Sequence, residues 1–247
     1  MHRFFLNPEQ FSHDSLVFPP DLSHQILHVL RLEEGDEVVV LDDRGQLYRV
    51  RLLIEPGKNQ ITGQIMAREE VDSEPDVLVS LCFGLSNRDK VEWILQKGTE
   101  IGISAFYPFV SSRTLVQSTT LNSKRVDRWE RIIREAAEQS SRGRLPRLVL
   151  PMQYKTCLDE SASAHDLCLI AWEKAEKSRP SIKTIMSNFD GKNIALFVGP
   201  EGGFSEIEVD DAKAHGVQRV SLGKRILRME TAAIVFPALV LHELGGF

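Results

Sequence analysis

From Val77 onward, near-continuous apolar runs alternate with stretches of helical period. The runs are VLVSLCFGL, ISAFYPFV, DLCLIAWE, NIALFVG and VQRVSLG. Strands that are apolar on both faces, alternating with helices, predict an α/β domain with a parallel sheet covered on both sides. Ser86-Asn87-Arg88-Asp89 is a capping-box-like helix start, after which Val91, Ile94, Leu95, Gly98 and Ile101 share one face. Ser205-Glu206-Ile207-Glu208 is a full capping box, worth about 1 kcal/mol at its cap, and that helix is expected to stop at Gly216. The last helix is expected from about Met229 towards Leu244, with Pro237 inside it and a kink there.

The first seventy residues follow another rhythm. Two strand-like runs flank the turn Asp42-Asp43-Arg44-Gly45, a hairpin signal. ITGQIMARE adds a third strand after a Pro56-Gly57 turn, and one short amphipathic helix lies between Asp21 and Leu32. Short strands with one helix predict a small β-barrel domain. Asp72-Ser73-Glu74-Pro75 reads as a linker, giving expected domains 1–72 and 73–247.

Composition narrows the function classes. Hydrophobic residues at 42% and charged residues at 26% exclude wholesale disorder. No apolar run reaches membrane-spanning length and the N-terminus lacks a signal-peptide core, so a cytoplasmic protein without a membrane partner is expected. Three cysteines form no CxxC pair and the histidines are scattered, so no metal site is expected. A net charge of −5 argues against general affinity for nucleic acid, although phosphate binding needs only a local basic face.

Two segments concentrate the candidate chemistry. Gly199-Pro200-Glu201-Gly202-Gly203-Phe204 leaves an apolar strand and precedes a capped helix, where open parallel sheets bind ligands. It has neither the GxGxxG spacing of a dinucleotide fingerprint nor the GK[ST] of a P-loop, which argues against NAD and ATP and against a Rossmann oxidoreductase. The second segment, Ser221 to Ala232 (SLGKRILRMETA), also joins a strand to a helix. It carries Arg228, a cation beside the expected cleft, and Glu230 in the first helical turn, where a carboxylate complements the dipole.

In this order and spacing the two segments resemble the RsmE family of the SPOUT superfamily. The resemblance extends over His28-Val29-Leu30-Arg31-Leu32 with Gly35-Asp36, Lys90, Gln96-Lys97, Thr99-Glu100-Ile101-Gly102, and Glu135-Ala136-Ala137-Glu138-Gln139-Ser140 with Arg142. Met229 stands where the family reads Thr, and Pro237 is also unusual. The resemblance implies a PUA-like N-terminal RNA-binding barrel and a sheet whose chain end makes a deep trefoil knot. It implies S-adenosylmethionine as cofactor, a homodimer, and methylation of N3 of uridine 1498 in 16S ribosomal RNA. Three loops would hold the cofactor: the one after DLCLIAWE, GPEGGF and SLGKRIL. The implied cofactor residues are Val198, Gly199, Gly202, Gly203, Ser221, Leu222, Gly223, Ile226, Leu227 and Thr231. Arg228 is the candidate cation for a uracil anion, with Glu201 and Glu230 for proton removal or orientation.

RNA needs basic residues. Between Leu121 and Arg147, eight basic residues stand against four acidic ones. Lys124, Arg128, Arg131 and Arg134 align on one helix face, with Trp129, Ile132, Ile133, Ala136 and Ala137 on another that reads as core. The expected RNA contacts are Arg3, Arg31, Lys90, Lys97, Arg128, Arg142 and Arg144, with the 16S RNA of the small ribosomal subunit as partner. Two other readings stay open: a SPOUT enzyme acting on tRNA or a ribose 2′-hydroxyl, and an inactive RNA-binding assembly factor.

Overall fold

The computed structural model describes residues 1–54, 60–173 and 181–246. The chain divides into two compact units, Met1–Glu74 with Ala137–Leu145, and Pro75–Ala136 with Pro146–Phe247.

The first unit holds a five-stranded sheet. Its strands are β1 (Arg3–Phe5), β2 (Ser15–Val17), β3 (Glu37–Leu41), β4 (Gln46–Ile54) and β5 (Ile61–Glu70), in the order β1-β3-β4-β5-β2. The β3–β4 hairpin turns at Asp42–Gly45 as expected: Asp43 and Gly45 take φ of 60° and 95°, and the Asp42 carboxylate accepts from the Arg44 and Gln46 amides. The Pro56-Gly57 turn expected before β5 lies outside the described residues. The expected helix is α1 (Pro20–His24), continuing as a π-helical turn over Gln25–Val29. Phe4, Leu16, Phe18, Ile26, Val38, Val40, Val50 and Leu52 make this unit's core.

Asp72–Pro75 is more than a linker, because Glu74 is a tether. Its carboxylate takes the Arg142 guanidinium at 2.8 Å and the amides of Gly143 and Arg144 at 2.8 and 3.2 Å.

The second unit holds a seven-stranded sheet of β6 (Leu78–Gly84), β7 (Ala105–Val110), β8 (Arg147–Leu148), β9 (Met152–Gln153), β10 (Leu167–Ala171), β11 (Asn193–Val198) and β12 (Gln218–Val220). The order is β12-β10-β11-β6-β7-β8, with β9 also on β7, and every pairing is parallel. All five apolar runs read as strands lie in it. Its helices are α2 (Arg88–Glu100), α3 (Ser123–Gln139, whose last three residues fall in the first unit), α4 (Tyr154–Ala164), α5 (Ile182–Met186), α6 (Glu206–Ala214) and α7 (Met229–Glu243).

Side chains from both faces of the sheet are buried. Leu81, Phe83, Phe106, Leu169, Leu196 and Val198 pack with α2 and α7 residues such as Leu95 and Phe236. Cys82, Phe109, Ile170 and Phe197 pack with Leu158 of α4 and Val209 of α6. The capping box at Ser205 and Glu208 forms as read, whereas α2 is capped by Asn87, one residue later than the box reading placed it. Helix α7 runs through the buried Pro237. Among the described residues, no helix is long and apolar enough to cross a membrane.

Candidate active site

The sheet order places the carboxyl ends of β12, β10, β11 and β6 side by side. A cavity of about 390 Å³ lies there, within the usual size range of small-molecule sites. It is walled by the segments after β10, β11 and β12 and by the first turn of α7. Of the predicted cofactor residues, Val198, Gly199, Gly202, Gly203, Ser221, Leu222, Gly223, Ile226 and Leu227 all line it, and Thr231 alone does not. Of the expected third loop, Trp172 and Glu173 contribute to the wall; its continuation, 174–180, lies outside the described residues. Glu201, Arg228 and Glu230 also line the cavity, and so does Lys90, which the sequence reading had assigned to RNA contact.

The turn after β11 is braced from several directions. Gly203 N–H donates to the Pro200 carbonyl at 2.8 Å. Arg113 donates to the carbonyls of Gly202 and Phe204 at 3.1 and 3.2 Å. The Glu208 carboxylate accepts from the amides of Ser112 and Ser205, at 2.9 and 2.8 Å. Gly84 at the end of β6 has no room for a side chain: a Cβ there would lie 2.5 Å from the Pro200 nitrogen.

The turn's own carboxylate is equally engaged. Ser86, fully buried, donates to Glu201, and the Lys90 ammonium reaches the same Oε1 at 3.1 Å. Burial alone would push the Glu201 carboxyl up, but hydrogen bonds from Ser86, its own backbone and Lys90 outweigh it and hold the group below its ordinary value. The Lys90 ammonium is held above its ordinary value, first by the hydrogen bond to Glu201. Lys90 also lies 3.5 Å from Glu230 Oε2. That oxygen is buried and accepts no hydrogen bond among the described residues.

The turn after β12 is held differently. Ser221 Oγ accepts from the Gly223 amide at 3.3 Å, and Gly223 takes φ of 115°. Among the described residues, the N–H and C=O groups of Leu222, Ile226 and Leu227 make no backbone hydrogen bond. Arg228 is exposed at the cavity edge, and its guanidinium makes no ion pair among the described residues. Backbone donors and acceptors unpartnered among the described residues, together with a close-approach turn, fit a nucleoside-bearing cofactor such as S-adenosylmethionine.

The predicted RNA contacts separate into two groups. Arg142 is corrected: its side chain is 5% exposed and locked in two-pronged contact with Glu74, so it braces the fold and has no free face for phosphate. Arg128 makes a two-pronged pair with Glu92, at 2.6 and 2.7 Å, and Lys97 pairs with Glu100 at 2.7 Å. The Arg128 hydrogen bonds are the largest of the causes that hold the Glu92 carboxyl at about 2. Arg3, Arg31 and Arg144 make no ion pair among the described residues. Trp129, Ile133, Ala136 and Ala137 of α3 are buried as read. Sequence reasoning missed Ser86 and Arg113, whose partners are 115 and 89 residues away along the chain.

Comparison with known proteins agrees with this geometry. The family model for an RNA methyltransferase domain matches residues 73–241, and that for an RNA methyltransferase PUA domain matches residues 20–66. The ribosomal RNA small subunit methyltransferase E of Bacillus subtilis is 33% identical, over 89% of this chain and 87% of its own. That of Synechocystis is also 33% identical, over 95% and 75%. The crystal structure of the Neisseria gonorrhoeae enzyme of that name, bound to S-adenosylmethionine, aligns with a TM-score of 0.83 and 30% identity over 98% of this chain and 97% of that one. A Legionella pneumophila putative methyltransferase with bound cofactor aligns with a TM-score of 0.83 and 26% identity, over 97% and 96%. The chain therefore belongs to the ribosomal RNA small subunit methyltransferase E family.

Proposed function

We propose that this protein transfers a methyl group from S-adenosylmethionine to N3 of a uridine in 16S ribosomal RNA, as a homodimer with a trefoil-knotted chain end, acting in the cytoplasm on the small ribosomal subunit. Family membership carries the coarser statement, cofactor-dependent methylation of ribosomal RNA. The observation that carries the finer one is the cavity itself, which brings together backbone groups without a backbone hydrogen bond among the described residues, a carboxylate, an ammonium, and an arginine that makes no ion pair among those residues.

The cofactor supplies an electrophilic methyl group on a sulfonium. The remaining work falls to the chain. The backbone of Val198, Gly199, Leu222, Ile226 and Leu227 would hold the adenosine part, with Gly202, Gly203, Ser221 and Gly223 shaping the two turns. Holding both reactants in line supplies much of the rate. N3 of uracil is a good nucleophile only after losing its proton. Glu230, with an oxygen that accepts no hydrogen bond among the described residues, is the group we assign to that proton. Glu201 is already committed to Ser86 and Lys90 and braces its loop. Arg228 is assigned to the negative charge that develops on the uracil oxygens. Arg3, Arg31 and Arg144 are assigned to phosphates: none makes an ion pair among the described residues, and Arg144 donates to the Arg44 carbonyl at 3.4 Å, a neutral partner that leaves its charge uncompensated.

The test is mass mapping of ribosomal RNA from cells with and without the gene, followed by methylation of the unmodified small subunit with labelled cofactor. Gain of one 3-methyluridine in 16S RNA is expected. Label appearing in tRNA or on a ribose would overturn the assignment. Sedimentation of the protein as a monomer would remove the homodimer from it.

A further inference from the structure

Lys90 and Glu230 set a donor beside an acceptor on the cavity wall, with Nζ and Oε2 3.5 Å apart. A lysine ammonium has three N–H donors. Glu201 takes one at 3.1 Å, and at 3.5 Å Glu230 is an ion-pair partner without a hydrogen bond. Donor capacity is therefore left on Lys90. Acceptor capacity is left on Glu230, whose Oε2 is buried without a hydrogen bond among the described residues. A buried polar atom in that condition is costly unless a ligand completes it.

Glu201 fixes the pair in register. Ser86 anchors Glu201 from the end of β6, and Glu201 in turn holds the ammonium. Helix α7 begins at Met229, so Glu230 sits in its first turn and its backbone is set by the helix.

Uracil presents a matching edge. Its N3–H donates and is flanked by two carbonyl oxygens that accept. A carboxylate taking the N3–H beside an ammonium donating to the neighbouring carbonyl satisfies both protein groups at once. Cytosine inverts the pattern at N3 and C4: N3 is a bare acceptor and the C4 substituent an amino donor, so the carboxylate would face a lone pair and an ammonium placed at the C4 side would face an N–H. We propose that Lys90 and Glu230 form the specificity-determining pair that reads the imide edge of the target uracil and rejects cytosine. The proposal rests on the uridine reading above and adds to it the groups that select the base.

The test compares small subunits, and naked 16S RNA, that carry uridine or cytidine at the mapped target position. Equilibrium binding to each is measured for the wild type and for Lys90→Met, Lys90→Arg and Glu230→Gln, alongside calorimetric titration of each protein with S-adenosylmethionine. The wild type is expected to prefer uridine by at least about tenfold, the scale of a paired donor–acceptor contact to a base. Lys90→Met and Glu230→Gln should bring that ratio near one while cofactor affinity changes by less than roughly threefold, and Lys90→Arg should restore most of the preference. Retention of the preference in both disabling variants would overturn the pair as the reader of the base. So would parallel loss of cofactor binding and base preference, which is what a mere tie between the two turns would give. Methylation by the wild type at a base other than uridine would instead sink the uridine reading, and the pair with it.

Discussion

Residues 199–204, after β11, and residues 221–227, after β12, both leave a parallel strand, wall the same cavity and lead to a helix. Their support differs sharply. The first turn is gripped by Arg113, Ser86 and Lys90 and pressed against the bare backbone of Gly84. The second has an internal contact at Ser221–Gly223 and leaves three residues' backbone groups without a backbone hydrogen bond among the described residues, with Ile226 86% exposed. One wall is preorganised by the protein. The other offers hydrogen-bonding groups that a ligand can complete. A site built this way draws precision from the first turn and affinity from the second.

The largest effect is expected at the end of the second turn. Arg228→Ala removes a cation that pairs with no protein carboxylate among the described residues, so the thermal midpoint should stay near the wild-type value. Methyl transfer should fall by about 10²–10³-fold, the usual consequence of losing one group that stabilises developing charge. Full activity in this variant would take Arg228 out of the chemistry. An equal loss of stability would show that the second turn is braced after all.

Breaking the first turn should look different. In Gly84→Ala the added methyl meets the Pro200 backbone at 2.5 Å, and backbone cannot rotate away as a side chain can. The fold should lose about 1–3 kcal/mol in urea unfolding, as overpacked sites do. Gly223→Ala is the matched change in the second turn. Nothing lies within 4 Å of the new methyl, so only the strain at φ of 115° counts, about 1–2 kcal/mol. Its signature should be weaker cofactor binding by calorimetry, because the strain falls where the unpartnered groups lie. If Gly84→Ala proves the milder of the two in unfolding, the contrast between the turns is wrong.

Much of this site was legible in the chain because its parts are local. Apolar runs ending in Gly199 and Gly223 announce strand exits, and parallel strands converge their carboxyl ends on ligands. The capping box at Ser205 and the start of α7 at Met229 were readable for the same reason. What could not be read is pairing across the chain. Arg142 sits in a basic stretch and looks free, yet its partner Glu74 lies 68 residues away in a segment that reads as a linker. Lys90 reads as an RNA contact until Glu201 and Glu230, more than a hundred residues later, fold around it. The three-residue strands β1 and β2 carry too little alternation to register, and they form because β3 and β5 provide edges.

The smallest expected effect is also the one that isolates the brace itself. Glu201 is held below its ordinary value in the folded protein, so it contributes stability above the unfolded carboxylate value, about 4.3, and that contribution is lost as pH falls through the folded value. Lys90 is held above its ordinary value, so its contribution is complete below the unfolded lysine value and is lost only as pH rises through the folded one. Both charges are therefore in place throughout the neutral range, and the first turn loses this support in acid through Glu201 and in alkali through Lys90. The difference in thermal midpoint between wild type and Glu201→Gln should be flat near neutrality and shrink in acid, since protonation makes the wild type resemble the variant. Repeating the comparison on Lys90→Met should show a smaller acid dependence, because one of the donors that favour the charged carboxylate is gone. A midpoint difference that stays constant into acid would mean that the Ser86–Glu201–Lys90 chain does not carry the brace, leaving Arg113 and the Gly84 contact to hold the turn alone.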